Sequence, residues 1–168
     1  MDESIFPSEE TRKSIYNFYL LTYESKFSIP KKRHLMTAAM GYEQWGWRVV
    51  GITKNAVIEI ANNNFKRPKG LERDHFKKSR KDTFNEIFVA EKYNLEKWWD
   101  KVWENDETIL MTKNEHNKHK NLNKDDVLNV DYKIGLFRAN GIGMSFTKRD
   151  GEFVKELYER IMSERSKI

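Results

Sequence analysis

Leu71-Glu-Arg-Asp-His75-Phe76 and, further on, Glu107-Thr-Ile-Leu-Met-Thr-Lys-Asn-Glu-His116 decide the fold. The first reads as a short strand over Leu71–Phe76 that ends near Asp74-His75. The second begins as an apolar strand, Glu107–Met111. Thr112-Lys-Asn-Glu115 then has the capping-box pattern, Thr at N-cap and Glu at N3, which opens a helix carrying His116 and His119. Strand, strand, capped helix, with Asp-His at the end of the first strand and His at the start of the helix, is the order of a ββα unit.

The flanks are helical. Ser8 caps a helix running to about Ser25, with Glu9 and Glu10 in its first turn. Pro30-Lys-Lys-Arg-His reads as a basic break and Leu35–Gln44 as a short helix. Trp47–Gly51 reads as a strand, and Thr53 caps a helix over Lys54–Asn63 whose inner face carries Val57, Ile60 and Ala61. Tyr93–Glu104 is helical, inside a long Thr83–Asn105 insertion. Its Trp98, Trp99 and Trp103 have core spacing. Lys120–Asp131 reads as polar connection. Asn140-Gly141 marks a hairpin between Ile134–Ala139 and Ile142–Thr147. Gly141-Ile-Gly143 belongs to that hairpin and is not a phosphate loop. Asp150 is the expected cap of a last helix over 150–166, with Phe153, Leu157 and Ile161 along one face. The chain shows no repeat. The expected class is α+β: one domain over 1–168, with a ββα-metal core at 70–120 and flanking helices at 8–25 and 150–166.

Composition narrows the function. The 168 residues suit one domain, and 10 Phe, 7 Tyr and 5 Trp supply a core although 34% of residues are charged. With no cysteine, thiol catalysis, disulfides, iron–sulfur clusters and Cys-ligated zinc are excluded. No run reaches the ~18 apolar residues of a membrane span. Met1-Asp-Glu-Ser lacks the basic and apolar regions of a signal peptide, so a cytoplasmic protein without membrane contact is expected. The net charge is +5. Lys66, Arg67, Lys69, Arg73, Lys77, Lys78, Arg80 and Lys81 face only Glu72 and Asp74 in one segment. That is a candidate phosphate-binding surface. His34 lies in the basic break and has no assigned role.

Residues 70–120 resemble an HNH nuclease. Asp74-His75 matches the Asp-His that typically ends that family's first strand. Ile109-Leu110-Met111 fills the apolar second strand, and His116 falls at the helical His. Thr112 and Glu115 stand where zinc-ribbon members carry cysteines, so no structural zinc is expected. The family's middle Asn falls at Glu107 by strict alignment, with Asn105 two residues upstream. Asn117 neighbours the helical His, where some members use Asn.

The resemblance implies a metal-dependent endonuclease acting on double-stranded DNA, of restriction or phage type. His75 would be the general base. Asp74 and His116, or Asn117, would hold one divalent ion, Mg²⁺ or Mn²⁺, and Asn105 or Glu107 would orient His75 or brace the loop. The residue chemistry agrees. Histidine exchanges protons near neutral pH, and a carboxylate is a hard oxygen ligand. Adjacent strand residues point to opposite faces, so Asp74 and His75 can share a site only where the strand ends or bends. One site cuts one strand, so double-strand cleavage calls for a homodimer or sequential nicking. The alternative is a non-catalytic DNA-binding module in which Thr53–Asn63 is a small reader helix with Phe65-Lys-Arg-Pro-Lys as a basic arm.

Overall fold

The structure, a computed structural model, describes residues 6–41, 43, 45–118, 123–141 and 143–166. Two hydrophobic cores organise one α+β domain. The first belongs to four helices: α1 (Glu9–Glu24), α2 (Ile29–Gly41), α4 (Arg80–Val89) and α5 (Leu95–Asn105). Tyr19, Met36, Met40, Trp45, Phe84, Ile87, Trp98 and Trp99 fill it. Ser8 caps α1, its Oγ accepting from the Thr11 amide at 3.1 Å. The basic break is instead the first turn of α2, a position where proline is tolerated. The insertion before β3 holds two helices and not one, because Ser79 and Asn94 each supply an N-cap.

The second core lies against the sheet. Strands β1 (Arg48–Thr53), β2 (Leu71–His75), β3 (Glu107–Thr112) and β4 (Val127–Asn129) form one mixed sheet in the order β2-β3-β1-β4. β1 and β3 are parallel, and the two outer pairings are antiparallel. β4 lies in the stretch expected to be polar connection. β1 leads into α3 (Lys54–Asn62), and β3 into the short α6 (Lys113–Asn117). Both junctions read Thr-Lys-Asn and both threonines are N-caps. The structure thus aligns a short strand–helix repetition that the sequence reading did not find. Val49, Ile52, Val57, Ile60, Leu71 and Leu110 pack with Val154, Leu157 and Ile161 of α7 (Lys148–Arg165).

β5 (Ala139–Asn140) and β6 (Gly143–Met144) form the hairpin. Asn140 is itself paired, with Gly143, so the turn begins at Gly141, one residue later than the Asn140-Gly141 step implies. Gly141 takes φ 63°, which a two-residue hairpin loop requires at that point. Ile142 and His119 lie outside the described residues. Thr147, and not Asp150, caps α7; Asp150 is the N3 partner of the capping box and also accepts from the Phe137 amide at 2.7 Å. Among the described residues no helix is long and apolar enough to cross a membrane.

Gly151 sets how closely the residue 64–67 turn approaches α7. A Cβ there would lie 2.5 Å from the Phe65 carbonyl oxygen. Backbone cannot retreat as a flexible side chain can, so Gly151→Ala is expected to cost about 1–3 kcal/mol, the usual range for overpacking. A lowered urea midpoint would show it; an unchanged midpoint would mean the turn shifts freely.

Candidate functional site

β2 and β3 pair antiparallel, with Asp74 opposite Ile109 and His75 opposite Thr108. Alternation sends Leu71, Arg73 and His75 to one face and Glu72 and Asp74 to the other. α6 follows β3 directly. Its start is held firmly: the Glu115 carboxylate accepts from the Thr112 amide at 2.9 Å, Thr53 Oγ1 at 2.8 Å and Asn55 Nδ2 at 3.0 Å. One side chain therefore ties the starts of α3 and α6 together. The Lys113 amide adds a bond to the Gly70 carbonyl at 2.8 Å.

This anchoring brings His116 back over β2. Its Nε2 lies 3.7 Å from Asp74 Oδ2, with the side chains 43% and 26% exposed. Asp74 Oδ1 accepts from the His75 amide at 2.8 Å, which orients the carboxylate. A carboxylate oxygen and an imidazole nitrogen at this separation suit one divalent cation when the histidine is neutral. Among the described residues no group of three or more His, Asp or Glu side chains is placed to hold a metal ion. An ion held by the pair would complete its shell with water and phosphate oxygens. Asn117 follows His116 on the exposed end of α6.

The His75 imidazole lies on the other face, 8% exposed. Its ring centroid is 4.6 Å from that of Trp47, and its Nε2 is 3.6 Å from Asp106 Oδ1, longer than a hydrogen bond. Asp106 is 1% exposed and is the centre of this cluster. It accepts from Arg80 Nε at 2.6 Å, Arg80 Nη2 at 2.8 Å and the Trp47 amide at 2.7 Å. Burial alone would push its carboxyl up. The Arg80 charge, the nearby His75 and these hydrogen bonds outweigh that and hold it below the usual carboxylate range. Trp47 takes a left-handed φ of 54°, with Arg80 4.4 Å above its ring.

Several expectations are corrected here. Neither candidate for the middle position reaches His75. Asn105 donates to the Lys101 carbonyl at 2.8 Å within α5, and Glu107 pairs with Arg48 at 3.2 Å and Lys77 at 3.4 Å. The carboxylate beside His75 is Asp106, which lies between them in sequence. Its only sequence signal was that adjacency, because the strand parity that selects it depends on where β3 starts.

The basic segment is likewise divided. Lys66, Arg67, Lys69, Lys77 and Lys81 are exposed. Arg80 is 6% exposed and is held by Asp106 through Nε and Nη2, so it is no phosphate contact. Arg73 donates to the Gly143 carbonyl at 2.8 Å and lies 5.0 Å above Trp47. Burial first, then the Arg80 charge, brings Arg73 down to about 10, still cationic at neutral pH. Lys78 pairs with Glu86. Arg67 Nη1 donates to the Met144 carbonyl at 2.7 Å, which positions the guanidinium without removing its charge. Folding thus consumes much of the charge that the sequence offers to a partner.

No protein-family model, curated protein or solved structure matches the chain.

Proposed function

We propose that this protein is a metal-dependent DNA endonuclease of the HNH type. The observation that carries the reading is the 3.7 Å approach of Asp74 and His116, at the junction of two antiparallel strands and a capped helix. Asp74 and His116 would hold one Mg²⁺ or Mn²⁺, with Asn117 beside them, and a cation bound there would supply charge stabilisation to the phosphate and the leaving oxygen. His75 is the general base. β2 ends at His75, and in this reading the scissile phosphate would have to sit at that strand end for both Asp74 and His75 to serve it.

Lys66, Lys69 and Lys81 contribute backbone contacts on double-stranded DNA. The reader-helix alternative has less support, because α3 spends Ala56, Val57 and Ile60 on the core. Sequence-specific cutting and pairing of two copies for a double-strand break belong to the same proposal.

The test is a supercoiled plasmid incubated with Mg²⁺ or Mn²⁺, with and without EDTA. Metal-dependent nicking is expected, and plasmids left intact under every metal condition would overturn the reading. His75→Ala should slow cleavage by ~10²–10⁴-fold, the usual contribution of a general base, with duplex affinity retained. His75→Asn and a thermal melt run beside it separate lost chemistry from lost packing. Wild-type rates in folded variants would remove the imidazole from the reaction.

A further inference from the structure

We propose that the cleft between the residue 64–67 turn and α7 is a second contact site for the phosphate backbone of duplex DNA. This inference rests on the nuclease reading above. The cleft has a volume of about 420 Å³. Lys66 and Arg67 line one wall, Lys148 and Lys155 the other, with Phe65 and Phe146 between them. The four cations come from segments far apart in sequence, so only the fold assembles them. All four are exposed. A single carboxylate, Glu152, joins the lining, and its Oε1 lies 3.6 Å from Lys148 Nζ. The net charge of the lining is therefore three positive: four cations less one carboxylate.

The cleft's position selects the partner. The turn that forms its wall runs directly into β2, which carries Asp74. From Arg67 to Asp74 the chain spans at most ~23 Å, seven residues at ~3.3 Å. That is about seven steps along one DNA strand at ~3.4 Å each. A duplex whose backbone lies in the cleft is thus within reach of the Asp74–His116 pair, and each lysine there neutralises a phosphate and releases counterions. Gly151 keeps the cleft walls at this spacing. Of these four cations the sequence reading included only Lys66 and Arg67, because nothing local links them to Lys148 and Lys155.

The experiment is fluorescence anisotropy with a labelled duplex at several salt concentrations, in an Asp74→Ala background that does not cut. Adding Lys148→Ala and Lys155→Ala together should flatten the plot of log K against log salt by about 1.8 units, twice the ~0.9 of one contact. Lys13→Ala with Lys92→Ala, on the distant α1–α4 side, should leave the slope unchanged. A slope unmoved by the α7 pair would overturn the proposal, as would an equal loss from the distant pair. A labelled poly-glutamate peptide is run in parallel; a loss of affinity confined to that peptide would assign the cleft to an acidic protein and overturn the proposal. Wild-type plasmid nicking separates the two readings: nicking with an unmoved slope removes this site alone, and no nicking removes the nuclease reading itself.

Discussion

Asp74→Ala is expected to lower plasmid cleavage by about 10³-fold while the protein stays folded. A bound cation supplies several kcal/mol of charge stabilisation to phosphoryl transfer, and ~1.36 kcal/mol is tenfold in rate. Asp74 is partly exposed and outside both cores, so its loss should not unfold the chain. On the proposed reading His116→Ala should give a defect of the same order, because the two side chains would share one ion. The double variant should be little worse than either single one, since losing one ligand already releases the metal. Calorimetric titration of Mn²⁺ into the DNA-bound protein reads the cause directly. Wild-type Mn²⁺ affinity in Asp74→Ala would remove Asp74 from the coordination shell. If Asn117→Ala alone shows the binding defect, the ligand from α6 is one residue later than proposed.

The second large effect is on stability and does not depend on the nuclease reading. Arg80→Ala leaves Asp106 buried without its bidentate partner. Breaking a buried pair from one side costs about 3–5 kcal/mol, a large share of a typical ~5–15 kcal/mol domain stability. Urea unfolding followed by circular dichroism measures it. A loss below ~1 kcal/mol would show that water reaches Asp106 freely and that the pair is not buried in solution. Arg80→Lys should recover only part of the loss, because an ammonium cannot reproduce the two parallel bonds.

The same pair makes an acid-limb prediction. Asp106 has a folded-state pKa below its unfolded value, so its stabilisation is fully present above the unfolded value of ~3.9. It is lost progressively as pH falls below that value towards the lowered folded one, where the unfolded chain binds the extra proton. In Arg80→Ala that acid limb should flatten. A wild-type acid limb in Arg80→Ala would assign the effect to other carboxylates.

Much of the local structure was legible because its causes are local. Ser8, Thr53 and Thr112 cap the helices they precede, since a cap is satisfied three residues away by its own chain. The tryptophans at helical spacing on α5 are largely core, as amphipathic periodicity requires. Asp150 was misread for an equally physical reason. Both Thr147 and Asp150 suit a helix start, and only the Asp150 bond to the Phe137 amide shows which of them turns inward.

By itself, then, the sequence determined the order of elements around the candidate site: a strand with Asp74-His75, an apolar strand, and a capped helix with His116. Those follow from propensity, alternation and capping, which act over a few residues. Tertiary structure decided the rest. It placed Asp74 and His75 on opposite faces, because β2 holds its register on β3 through His75. It put Asp106 beside His75 and sent Asn105 and Glu107 elsewhere. It neutralised Arg80 and Lys78, and it gathered Lys148 and Lys155 opposite Lys66 and Arg67. Each of these depends on which distant side chain packing brings within a few ångströms. A charge in a sequence has no partner until the fold chooses one.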